Sequence, residues 1–179
     1  MRVNPFRIFN LKKSKMKSAI LLSIILLISL NSYSQNIKRW TFEVKAVLEV
    51  VDQFFEGMTR RDTATLKRIM TPEGRYYGMR ESNGSWTKHT SSHEKYIDGL
   101  IHGTDLLQER IWDPEIKVHK TVATVWAPYD IHANGNFVHC GIDAFSLIKT
   151  EKGWKIAGAV FTMEPEGCEE SPLGPVKSR

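Results

Sequence analysis

The sequence predicts an α+β protein: three helices packed on one face of a curved antiparallel sheet, in the order α-α-β-β-α-β-β-β-β. Two observations carry this. Apolar residues recur at helical spacing in the first part of the chain. From Thr104 onward, β-branched and aromatic residues crowd into runs separated by turn residues.

The chain opens with Arg2, Arg7, Lys12, Lys13, Lys15 and Lys17 and no acid before residue 35, then an apolar run over 19–30 broken only by Ser23 and Ser29. The small polar stretch Asn31-Ser32-Tyr33-Ser34-Gln35 follows. A basic start, an apolar middle and small residues at the end are the order of a secretory signal peptide, here residues 1–34 with cleavage after Ser34. A bilayer-spanning helix needs about 20 apolar residues, more than this run has. No cysteine marks the cleavage point for lipid attachment, so the expected product is periplasmic or secreted and keeps no stable membrane anchor. The net charge of +5 belongs to this leader; without it 19 basic residues face 20 acidic ones. The remaining domain, 36–164, has no electrostatic bias toward nucleic acid. Residues 165–179 hold three prolines and two glycines and read as an irregular tail.

Val44, Val47, Leu48, Val51, Phe55 and Met58 form one apolar stripe, which predicts a helix over 41–59. Asp62 is placed to cap a short second helix carrying Leu66, Ile69 and Met70, closed by Pro72. Two strands, 74–80 and 85–90, flank Asn83-Gly84, a pair that tolerates positive φ. Ser91 with Glu94 three residues later has the capping-box form, predicting a third helix over 92–102 that buries Tyr96 and Leu100. Four strands follow over 106–119, 121–132, 137–149 and 154–163, with a bulge or bend at Asp113-Pro114.

A two-residue turn at Asn134-Gly135 fixes a register by counting outward: Asp130 faces His139, and Trp126 faces Asp143. This puts Trp126, Asp130, His139, Asp143 and Phe145 on one polar face, and Tyr129, Ile131, Val138 and Cys140 on an apolar one. Two readings stay open. The polar face meets water, or it is concave and lines a pocket floored by Trp126 and Phe145. In the second, Asp143 and His139 are the candidate proton-transfer groups, and Trp126, Asp130, Phe145 and Tyr76 the candidate ligand contacts. His139 and Asp143 lie about 13 Å apart along a strand, so each needs another partner. Cys140 and Cys168 are the disulfide candidates; otherwise Cys140 is simply buried and Cys168 free. No phosphate-binding glycine loop, Cys-x-x-Cys or Gly-x-Ser-x-Gly occurs, and His89 with His93 is a poor metal pair, so neither cofactor nor metal is expected.

Phe54-Phe55-Glu56-Gly57-Met58, Arg61-Asp62, Thr71-Pro72-Glu73-Gly74 and Tyr76 resemble the opening of the nuclear transport factor 2-like superfamily. The run Asp143-Ala144-Phe145-Ser146-Leu147 through Gly153-Trp154-Lys155-Ile156 resembles its ending, with the SnoaL-like and lumazine-binding-like branches nearest. The resemblance spans about residues 40–165. It implies a cone with a pocket at its open end, often dimeric through the sheet. It also implies a choice among functions. The first is an exported binder of a small, largely apolar molecule. The second is an isomerase, dehydratase or cyclase using a pocket acid, with Asp143 the best-placed residue. The third is an interaction protein.

Overall fold

A computed structural model describes residues 41–176, of which those from Glu43 onward form one compact unit. Helix α1 is described over residues 41–60. It is followed by α2 (Thr63–Ile69), β1 (Met70–Ser82), β2 (Ser85–Ser92), α3 (His93–His102) and β3 (Leu107–Ile111). The chain continues through β4 (Glu115–His119), β5 (Val122–Ala133), β6 (Asn136–Thr150) and β7 (Gly153–Thr162). The caps are local chemistry. Asp62 Oδ1 accepts from the Thr65 amide at 3.0 Å, as its position predicts. The cap of α3 is Ser92, whose Oγ accepts from the Lys95 amide at 3.2 Å, one residue beyond the predicted Ser91. Met70 caps α2, its amide donating to the Leu66 carbonyl, and opens β1, and Pro72 sits within that strand and does not close the helix.

The seven strands form one curved sheet in the order β2-β1-β7-β6-β5-β3, with β4 also paired to β5. Two features differ from the sequence prediction. The sheet is mixed, because β1 and β7 run parallel. The expected strand over 106–119 is two strands: Asp113 adopts φ 44°, Pro114 follows, and β3 and β4 pair separately along β5. Curvature comes from register shifts at Met70/Arg75, Ile131/His132 and Ser146/Leu147.

The shift at Ile131/His132 changes the site. The turn forms as predicted, with Asn134 at φ 55° and Gly135 at φ 80°, and His132 pairs with Phe137. Val138 is then an extra residue. Beyond it Ile131 pairs with His139, Asp130 with Cys140, and Ala127 with Asp143. The predicted pairs Asp130–His139 and Trp126–Asp143 do not form, and the faces of β5 and β6 recombine. Ala127, Tyr129, His139, Asp143 and Phe145 share the inner face. Trp126, Asp130 and Cys140 share the outer one. The inner face packs on Val47, Val51, Phe54 and Met58 of α1 to make the core, joined by Leu147, Trp154 and Ile156.

On the outer face, Cys140 is bonded to Cys168, and its backbone exchanges hydrogen bonds with Glu164 at 3.0 and 2.9 Å. The tail is thereby tied over β5 and β6, and the Gly174 carbonyl accepts from Arg110 Nη1 at 2.9 Å. Reducing this bridge, which closes a separation of 28 residues, is expected to cost up to about 3–4 kcal/mol. Tail amides should lose exchange protection at the same time. Urea midpoints with and without reductant, and hydrogen exchange over residues 165–176, check this; an unchanged midpoint would contradict it.

Candidate ligand cavity

The inner face of the sheet, α1 and α3 line a half-open cavity of about 440 Å³. Its walls are mainly aromatic: Phe54, Tyr76, Tyr96, Tyr129, Phe145 and Phe161. Phe54 from α1 is the hub, stacked on Tyr96 at 5.5 Å and set edge-on to Phe145 at 5.6 Å. Gly141 lets the far wall close up: a Cβ there would lie 2.4 Å from the Thr162 carbonyl oxygen.

The polar part of the cavity is small and concentrated. Asp143 is only 3% exposed. Its carboxyl lies beside that of Glu109, which comes half-buried from β3. Two carboxyls side by side, one of them fully buried, resist ionising together, which favours a proton shared between them. Burial pushes the Asp143 carboxyl up to about 7. Burial, then the neighbouring Asp143 charge, holds Glu109 well above the usual carboxylate range. Asp143 Oδ2 and the hydroxyls of Tyr76 and Tyr96 are buried without a hydrogen-bond partner. Burial, followed by the Glu109 charge, raises both phenols well above their ordinary value.

His139 lies at the cavity wall, and its tautomer follows from its neighbour. The Tyr129 hydroxyl donates its one proton to the Thr162 carbonyl at 2.6 Å. Its oxygen is therefore the acceptor for His139 Nδ1 at 3.0 Å, which places the imidazole proton on Nδ1 and a lone pair on Nε2. Burial lowers the His139 pKa and keeps the ring neutral.

Of the residues singled out in the sequence, Asp143, His139, Phe145 and Tyr76 line the cavity; Trp126 and Asp130 do not. The Val138 bulge puts both on the outer face. Trp126 is exposed there. Asp130 is buried beneath the tail and takes a two-bond grip from Arg110, at 2.9 and 2.5 Å. Asp130 is thus an ion-pair partner, with no contact to His139. Glu109, Tyr96 and Tyr129 were not anticipated as site residues. Glu109 had a signal: it is an acid between Leu107 and Ile111 at strand spacing, on a face otherwise apolar.

A bent sheet that cups helices around an acid-bearing cavity defines the nuclear transport factor 2-like class. The chain belongs to the family described as putative lumazine-binding, which matches residues 42–162. Solved structures share the fold. A nuclear transport factor 2-like superfamily protein from Salmonella enterica serovar Typhimurium aligns over 73% of this chain and 98% of its own, at 13% identity and TM-score 0.56. A protein of unknown function from Mycobacterium tuberculosis aligns over 72% and 75%, at 14% identity and TM-score 0.58. A putative dehydratase from Streptomyces avermitilis aligns over 69% and 96%, at 18% identity and TM-score 0.54. A search of curated protein sequences returns no match.

The acid pair makes a signed prediction for stability. The folded pKa of Asp143, about 7, lies above its ordinary 3.8. Its contribution is therefore fully present below 3.8 and is lost as pH rises through about 7. Asp143→Asn does not titrate and keeps an amide to donate to Glu109. The variant should gain stability relative to the parent as pH is raised from about 5 to about 8. The histidines with lowered pKa, His93 and His139, act in the opposite direction but equally in both proteins. Urea midpoints of the two at both pH values decide it; a constant difference would contradict the assignment.

Proposed function

We propose that this is an exported protein that holds a small, largely apolar molecule in the cone cavity, with one polar end of that molecule on the Glu109–Asp143 pair. The observation that carries the reading is the distribution of chemistry in the cavity. Six aromatic rings form its walls, and its buried unpartnered oxygens belong to Tyr76, Tyr96 and Asp143. A concave, mainly apolar volume with a few converging polar groups is what a small-molecule site requires. Export rests on the sequence pattern of residues 1–34, which lie outside the described residues, and is supported by the Cys140–Cys168 bridge, a bond suited to an oxidising compartment. The description of the family suggests one flat heterocycle, lumazine, to try as a ligand.

A second reading, proton transfer on a bound substrate, is favoured by one observation: a pocket carboxyl with its pKa near 7 is poised to give or take a proton at neutral pH. The Streptomyces avermitilis protein of the same fold, described as a putative dehydratase, supports the same class of chemistry. Protein purified from its own host and examined by native mass spectrometry should carry a discrete small-molecule mass increment. Asp143→Asn should reduce its occupancy by roughly tenfold or more, the scale of a charged hydrogen bond, with folding intact. Protein that is bare in every preparation, or a variant with undiminished occupancy, would count against the reading.

The outer sheet face supports the further proposal of a homodimer. Tyr77, Val160, Ala144 and Trp126 form one cross-strand row, and Val160 and Trp126 are 52% and 54% exposed. Trp126→Glu should shift the mass measured by analytical ultracentrifugation from dimer to monomer; a parent protein that is monomeric at all concentrations would end this idea.

A further inference from the structure

The charges facing the cavity are unbalanced. Among the described residues no lysine or arginine lines it, and the acids that do are Glu109 and Asp143. The cation nearest in sequence, Arg110, points to the opposite face, held by Asp130 and the Gly174 carbonyl. Arg80 of β1 acts on His139 and Tyr129 and is not part of the wall. Other titratable groups turned to the cavity are Tyr76 of β1, His89 of β2, Tyr96 of α3, Tyr129 of β5 and His139 of β6. With one proton shared, the carboxyl pair keeps about one negative charge in a mainly apolar cavity. An anionic ligand would be repelled, and a neutral one would leave that charge without a counter-ion. A cation would balance it while its apolar body lay against aromatic rings, which attract cations through their faces. The unpartnered oxygens fit the same ligand. Asp143 Oδ2 accepts from N–H. The Tyr76 and Tyr96 oxygens can accept as well.

Resting on the small-molecule reading above, we propose that the ligand is an organic cation, an amine or a protonated nitrogen heterocycle on a flat apolar body, with its nitrogen seated on the Glu109–Asp143 pair. Such a ligand favours the singly protonated, negatively charged pair over the doubly protonated one, so below about 7 it expels the second proton as it binds and leaves the shared one in place. Its affinity therefore rises with pH for as long as the amine itself stays protonated. A neutral ligand of the same shape favours the protonated pair, so its affinity stays level or falls.

Two matched probes separate these cases: 2-naphthylmethylamine, an aliphatic amine that stays protonated across the range, and 2-naphthylmethanol. Each is titrated calorimetrically into the disulfide-intact protein at about pH 6 and about pH 8, in buffers of different protonation enthalpy. The amine is expected to bind at least about tenfold tighter than the alcohol at the higher pH, to tighten severalfold between the two, and to release a proton. Asp143→Asn and Glu109→Gln, each checked for folding by circular dichroism, should both lose the pH dependence and the preference while still binding the alcohol. An alcohol that binds as well as the amine, or an amine that binds without proton release, overturns the cation assignment and leaves the small-molecule reading standing. If neither probe binds, both fall.

Discussion

Between the Asn134-Gly135 turn and the cavity, β6 carries one residue more than β5, and that surplus, Val138, sets the inward-facing chemistry of the sheet. Side chains alternate along a strand, so a single extra residue exchanges the faces of everything beyond it. With Val138 in place, Asp143 and His139 join Ala127 and Tyr129 on the side of the helices. Trp126 and Asp130 go to the outside. The same shift delivers Cys140 to the outer face, where Cys168 and the tail reach it, and sets Asp130 beside Arg110. Cavity, ion pair and disulfide are three consequences of one register.

What the register creates inside is an expensive arrangement. A carboxyl buried among aromatic rings is stable only if it is protonated, paired or liganded. Asp143 meets this by sharing with Glu109, whose strand lies across β5. Sharing lowers the cost of burial without removing the charge, and Tyr76 and Tyr96 add hydroxyls that no described residue satisfies. Buried polar groups in folded proteins nearly always have partners. A cluster of them around one cavity is the observation on which the proposed ligand site rests. On the far side Asp130 meets the same problem with Arg110, a fixed cation, and the tail covers the result. One sheet thus holds two buried acid sites, one closed by the protein and one left for something else.

Much of the fold was legible because its signals are local. The α1 stripe, the Asp62 cap and the Asn83-Gly84 and Asn134-Gly135 turns each specify their own geometry, and each forms. The parallel pairing of β1 with β7 was not legible, since no turn joins two strands so distant in the chain. The bulge was hidden for a different reason. Val138 is β-branched and apolar and suits either face of a strand, so the residues alone do not tell a regular hairpin from a bulged one. Asp143, His139 and Phe145 share one face, as the hairpin alternation predicted, and that face is the inner one, a choice the sequence left open; Trp126, the neighbour argued for Asp143, is on the other side. Glu109 was legible only as an acid on an apolar strand face, and its partner depends on a contact between β3 and β6 that the sequence does not state.

The central claim is that Glu109 and Asp143 share a proton inside the cavity. Carbon-13 detected NMR titration of the two side-chain carboxyls in the ligand-free protein tests it directly. The account predicts two linked steps, with Asp143 still titrating near 7 and its curve displaced by Glu109→Gln. Two independent carboxyls, each ionising in the ordinary range near 4 and neither responding to substitution of the other, would contradict it.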